Sequence, residues 1–157
     1  MIFVTTGTQL VFPRLVDAMA ALAPGLEEDV IAQAGPDQTA RATLTQHEHL
    51  SSAEFTRLFT SARVVVAHAG IGTILSAKSH RKPLILMPRR FALGEHRNDH
   101  QMATARQVEH MPGIHIAWEV EDLEPLLRRP DLESAAPGLG PRADSLIARL
   151  RDEIARP

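Results

Sequence analysis

The chain has 157 residues, 44% of them hydrophobic and 23% charged, with a formal net charge of −2. That length suits one domain with a genuine core, and the near-neutral balance, without a long basic tract, excludes an electrostatic nucleic-acid binder. There is no cysteine, which excludes disulfides and thiolate metal sites and fits a cytoplasmic setting.

The chain starts Met-Ile-Phe-Val-Thr-Thr-Gly, with no basic n-region, so a signal peptide is not expected. No run approaches the roughly 20 apolar residues of a membrane span, so any membrane attachment is expected to come through a partner. Ile2–Thr5 predicts a central parallel strand, followed by the hydroxyl-rich turn Thr5–Gln9. Pro13 opens a helix in which Leu15, Val16, Met19, Ala20 and Leu22 keep helical spacing until Pro24-Gly25 stops it. Asp29–Ala34 reads as a second strand and residues 42–46 as a third, with Gln46-His47-Glu48-His49 an exposed loop. Ser51-Ser52-Ala53-Glu54 is a capping box opening a helix to about Ser61, with Phe55, Leu58 and Phe59 on its inner face.

The unbroken apolar run Val64–Ala67 predicts a strand buried on both faces. It stops at His68-Ala69-Gly70-Ile71-Gly72-Thr73, after which Ile74, Leu75 and Ala77 suit a helix. A further apolar run, Leu84–Met87, follows at βαβ spacing. Asn98–His110 reads as a helix, Gly113–Trp118 as a last strand with Trp118 in the core, and Val120–Arg128 as a short helix. Arg129–Pro141 is a loop leading to a final helix, residues 142–155, with Ala143, Leu146, Ile147, Leu150 and Ile154 on one stripe. Strands alternating with helices, without repeats or a domain boundary, predict a single doubly wound parallel α/β sheet.

Two loops carry the chemistry. Thr6, Gly7 and Thr8 follow the first strand, at the carboxyl end where open α/β sheets bind ligands. His68, Ala69, Gly70, Gly72 and Thr73 form the second, a strand, glycine turn and helix start in which free N–H groups and the macrodipole favour a phosphate. Neither loop is a G-x-G-x-x-G fingerprint or a P-loop. Arg89 and Arg90 end the Leu84–Met87 strand, where paired guanidinium groups suit a diphosphate or a sugar carboxylate. His96 and His100 stand four apart beside Glu95 and Asp99. The pair lacks a clear third zinc ligand, and the cluster suits a helix start that hydrogen-bonds a polyhydroxylated ligand.

In this order, Phe3-Val-Thr-Thr-Gly-Thr, His68-Ala-Gly-Ile-Gly-Thr, Lys82-Pro-Leu-Ile-Leu-Met-Pro and Asn98-Asp-His-Gln resemble the donor-binding, C-terminal half of GT-B glycosyltransferases of the MurG-like family 28. The chain looks most like that group's free-standing small subunits: PssE-type exopolysaccharide subunits and the catalytic subunit of the eukaryotic two-part N-acetylglucosamine transferase. The resemblance implies a single Rossmann-like sheet. It also implies a UDP diphosphate held by Thr6, Gly7, Thr8, His68, Gly70, Gly72 and Thr73, with Asp99, His100 and Gln101 at the donor sugar. Ser76 stands where the family often has a glutamate that bonds the ribose. The implied activity is inverting transfer of a hexose, N-acetylhexosamine or uronic acid from a UDP-sugar to a lipid-linked acceptor in polysaccharide biosynthesis. No cofactor is expected, and with no D-x-D in the chain no metal either. A membrane-anchored partner subunit would bring the acceptor site and the catalytic base, docking on the helix from Arg142. Three rival readings are a sugar-nucleotide epimerase, for which the chain is short, a non-catalytic nucleotide-binding regulatory subunit, and a flavodoxin-like FMN protein. The last wants aromatic residues against the flavin, and the chain has no tyrosine and one tryptophan.

Overall fold

The apolar runs become the strands of one sheet. The computed structural model describes residues 1–137, and the strands are β1 (Ile2–Thr5), β2 (Val30–Gln33), β3 (Thr45–His47), β4 (Val64–His68), β5 (Leu84–Met87) and β6 (Ile114–Ile116). All neighbours pair in parallel, in the order β3-β2-β1-β4-β5-β6. This is the Rossmann order; a flavodoxin-like sheet would run 2-1-3-4-5, so the topology removes the flavodoxin-like fold.

The helices are α1 (Pro13–Leu22), α2 (Ser52–Ser61), α3 (Ile71–His80), α4 (His100–Val108) and α5 (Leu123–Leu127). Alternate strand residues face opposite sides. Ile2, Val4, Val64, Val66, Ile85 and Met87 pack with α1 and α5 through Leu15, Met19, Leu123 and Leu127. Phe3, Val65, Ala67, Leu84 and Leu86 pack with α2, α3 and α4 through Phe59, Ile74, Ala77 and Ala105. Sheets covered on both faces need continuous apolar strands, which is why β1 and β5 are buried at every position. Moving from β1 to β2 the chain crosses one face, and moving from β4 to β5 it crosses the other, as right-handed crossovers require.

Pro13 starts α1 as expected. The capping box of α2 is formed: Glu54 N–H donates to the Ser51 hydroxyl at 3.2 Å, and Ser51 N–H to the Glu54 carboxylate at 3.1 Å. Three expectations shift. The third strand is Thr45–His47 rather than 42–46, so Gln46 and His47 form a short edge strand, not an exposed loop. Residues 94–99 stay outside α4, so His96 and His100 do not share a helical turn. Residues 120–122 form a 3-10 turn ahead of the five-residue α5. Trp118 packs, partly buried, against the second core cluster. The expected helix over 142–155 lies outside the described residues.

The sheet's order reverses at β1. The chain leaves β1 for β2 and β3, then returns through α2 to β4 on the other side. Loops from β1 and β4 therefore diverge over opposite faces and leave a crevice at their carboxyl ends, where ligands of open α/β sheets bind. At the opposite end, a cavity of ≈ 650 Å³ is lined by Glu28, Arg63 and Arg128. Its chemistry is internal, because Arg63 is paired with Glu28 and donates to the carbonyls of Leu127 and Arg129.

Candidate functional site

The two loops do converge. Thr5, Gly7 and Thr8 from the first, and His68, Gly70, Gly72, Thr73 and Ser76 from the second, line one cavity of ≈ 440 Å³. The lining is completed by Gln33 at the end of β2, Leu50 just ahead of α2, and Ser52, Phe55 and Thr56 of α2, with Leu50 and Phe55 its apolar part. A polar end beside an apolar wall is what small-molecule sites present. Gly7, Thr8 and His68 also border a smaller cavity of ≈ 250 Å³ that reaches His96 and Gln101. Gln9, Leu10 and His96 carry this on into a third of ≈ 500 Å³, beside Gly94, Glu95 and Arg97.

His68 stands at the centre. Its imidazole fills a slot between two glycines: a Cβ on Gly7 would lie 3.1 Å from His68 Cε1, and one on Gly70 would lie 2.3 Å from Nε2. Gly7 also has φ +80, the left-handed region that favours glycine. Burial first, and then the Arg89 charge, push the imidazole down to about 4, against an opposing contribution from the Thr5 backbone. His68 is therefore neutral at neutral pH, and its Nδ1 has no hydrogen-bond partner among the described residues. A neutral imidazole offers one donor and one acceptor.

Gly70 caps α3 with extended backbone and no side-chain cap. The first N–H groups of that helix therefore receive no side-chain acceptor from the cap. Ser76 lines the cavity, but its hydroxyl donates to Gly72 O at 3.0 Å, one turn back.

The arginines sit differently from their expected use. Arg89 is 2% exposed and points under the first loop. Its guanidinium donates to the carbonyls of Thr6 at 2.9 Å, Leu10 at 2.8 Å and Val11, and lies 4.5 Å from the centroid of the Phe12 ring. Burial lowers it to about 10, so it is charged at neutral pH. Its main work is to hold the loop rather than to offer a free cation. Arg90 turns away toward β6, donating to Trp118 O and to Glu119 at 2.8 Å. Glu95 is taken by Arg14, through bonds of 2.6 and 2.8 Å, and accepts from Arg90 N–H at 2.9 Å.

Gln101 joins the strand ends: its Oε1 accepts from Ala69 N–H at 3.2 Å and from Arg89 N–H at 3.1 Å. Asp99 accepts from Phe91 N–H at 2.9 Å, and His100 is exposed at the start of α4. Thr6 is buried, with its N–H on Gln33 O at 3.1 Å. Of the expected site residues, the structure thus brings Gly7, Thr8, His68, Gly70, Gly72, Thr73 and Ser76 to one cavity. Arg89, Glu95 and Gln101 serve as braces behind it.

A profile of the glycosyltransferase family 28 C-terminal domain matches residues 1–129. The chain belongs to that family. The UDP-N-acetylglucosamine transferase subunit ALG13 of Eremothecium gossypii is 36% identical over 97 residues, covering 61% of this chain and 45% of that protein. This family 28 domain thus spans less than half the length of that relative. Among solved structures, an NMR structure of ALG13 matches with TM-score 0.62 at 17% identity, covering 95% of this chain and 93% of that one. The crystal structure of Acinetobacter baumannii MurG matches with TM-score 0.59 at 18% identity, covering 97% of this chain and 49% of that one. At such identities these two show the fold, a Rossmann-like sheet equivalent to the C-terminal half of GT-B glycosyltransferases.

Proposed function

We propose that this family 28 domain binds the UDP-sugar of a glycosyltransferase in the crevice between the β1 and β4 loops. The observation that carries this reading is the convergence of both glycine loops, the open start of α3 and the neutral His68 on one cavity. The diphosphate would rest on the N–H groups of the 70–73 turn, with Thr8, Thr73 and the His68 imidazole as further donors. The base would lie along Leu50 and Phe55, and the sugar would extend toward His96 and Gln101. Departing UDP gains negative charge, and helix N–H groups already aimed at it stabilise that charge without a metal.

The domain supplies one wall of a cleft. A second polypeptide, membrane-anchored in a PssE-type system, would bring the lipid-linked saccharide acceptor and the base that deprotonates its hydroxyl. Support comes from the exposed Leu10 and Val11 after β1 and the exposed Phe91 and Leu93 after β5, apolar side chains at the carboxyl end of the sheet. The Eremothecium relative, itself a transferase subunit, points the same way. Among the described residues no helix is long and apolar enough to cross a membrane.

Calorimetric titration with UDP, UDP-GlcNAc, UDP-glucose and UDP-glucuronate tests the reading. UDP binding that His68→Ala or Thr73→Ala reduces at least tenfold is the expected result. No UDP binding, either alone or with an acceptor-binding partner present, would overturn it.

A further inference from the structure

The geometry points to Gln33 as the group that accepts a hydrogen bond from a ribose hydroxyl of the bound nucleotide, an inference that rests on the nucleotide reading of the cavity. Gln33 ends β2, and its main chain is fixed against the first loop: its carbonyl accepts from Thr6 N–H at 3.1 Å and from the Thr6 hydroxyl at 3.4 Å. The side chain is 3% exposed and lines the ≈ 440 Å³ cavity that Thr73 and Ser76 also line. Its Oε1 is buried and has no hydrogen-bond partner among the described residues. Folded proteins rarely leave a buried carboxamide oxygen without a donor, and a side chain that lines a ligand cavity can take that donor from the ligand.

The chemistry of Oε1 narrows the choice, because it only accepts. The diphosphate of a nucleotide is itself an acceptor at neutral pH and cannot satisfy it. The donors on a uridine nucleotide are the ribose hydroxyls and the N3–H of the base. Gln33 is held beside the loop that carries Gly7 and Thr8, next to the phosphate position, and the group covalently adjacent to the phosphates is the ribose. The base lies one unit further on, toward the apolar wall of Leu50 and Phe55. Ser76 spends its one hydroxyl proton on Gly72 O, and the lone pairs it keeps can accept a second ribose hydroxyl.

The test titrates wild-type chain, Gln33→Leu and Gln33→Glu with UDP, 2′-deoxy-UDP, 3′-deoxy-UDP and N3-methyl-UDP, with unfolding midpoints confirming that each variant is folded. Wild type should bind one deoxy analogue about tenfold more weakly than UDP, the size of one hydrogen bond. Gln33→Leu should bind UDP about tenfold more weakly and no longer distinguish it from that analogue. Gln33→Glu, which still accepts, should keep the discrimination while binding every diphosphate less tightly. A Gln33→Leu protein that discriminates like wild type overturns the inference. So does a loss on N3-methylation that Gln33→Leu abolishes, since Gln33 would then be reading the base. If Gln33→Leu fails to fold, the wild-type comparison decides: equal affinity for UDP and both deoxy analogues is again a refutation. UDP that binds wild type without hydroxyl discrimination sinks this inference alone, whereas UDP that does not bind at all sinks the nucleotide reading with it.

Discussion

His68 couples the site to the stability of the fold. Its imidazole is held at about 4 in the folded chain against an ordinary value of 6.5. Between those pH values the unfolded chain binds a proton that the folded chain does not, so stability falls as pH is lowered through this window. The loss approaches about 3 kcal/mol by pH 4. His115, also lowered by burial, adds a smaller contribution of the same sign. Glu28 and Asp37 titrate below the ordinary carboxylate values and enter only at the acid end. A His68→Asn chain, followed by denaturant unfolding between pH 7 and pH 4.5, should have lost most of the slope; an unchanged slope would place it elsewhere. Gly70→Ala tests the slot itself. Its Cβ would collide with Nε2, so the imidazole must leave, and UDP affinity should drop at least as far as in His68→Ala.

Arg89 belongs to the same scale. Removing it strands the carbonyls of Thr6, Leu10 and Val11, and buried acceptors left without donors cost about 1–3 kcal/mol each when water cannot reach them. Arg89→Ala should destabilise the chain by about 3 kcal/mol or more in thermal unfolding. Arg89→Lys should recover little, because one ammonium cannot reproduce a fork of planar donors. Full recovery by lysine would mean that charge, not geometry, is what the loop requires.

Among the elements, the ends of β4 and β5 are fastened by a single oxygen, Gln101 Oε1, which receives two main-chain N–H groups. In Gln101→Ala, hydrogen exchange at the Ala69 and Arg89 amides should quicken by about tenfold or more, while the amides of β1 stay protected. Gln101→Glu keeps the acceptor and should keep the protection. Elements were legible in the sequence wherever burial or capping left a local trace. Val64–Ala67 and Leu84–Met87 are apolar throughout because both faces are covered, and Ser51 with Glu54 announced α2. The trace fails for β3, whose Thr45, Gln46 and His47 lie at the sheet edge with no apolar pattern. It fails also around 94–99, where Glu95 and Asp99 bond main-chain N–H groups of the preceding turn instead of opening a helix.

For the molecule as a whole, the strand order decides where ligand chemistry can occur; the alternation of strands and helices predicted a doubly wound sheet, and the resemblance implied its Rossmann-like form. What stayed hidden were partnerships between distant segments. A reader of the sequence sees Arg89, Arg90 and Glu95 as charges after a strand. Arg14, which neutralises Glu95, lies 81 residues away, and the carbonyls that hold Arg89 carry no side-chain signature at all. Gln33 drew no notice for a simpler reason: it reads as one more residue of the Asp29–Ala34 strand, although its place level with the glycine loops was available from the alternation of elements. If the crevice is the UDP site, ligand at 100 times its dissociation constant adds about 2.7 kcal/mol to unfolding. Differential scanning should then show the midpoint rising by about 5–10 °C for a chain of this size, and by about half of that or less for His68→Ala, which binds at least tenfold more weakly.

Because Arg89 grips the first loop through the main-chain carbonyls of Thr6, Leu10 and Val11, besides resting on the Phe12 ring, the loop's path does not depend on which side chains occupy Gln9 and Leu10. Both positions border the cavities leading away from the proposed nucleotide cavity. They form a face that mutation can rewrite without unfastening the scaffold beneath it. Libraries randomised there should stay folded in most members while shifting which sugar is preferred, so donor preference can diversify on a conserved frame.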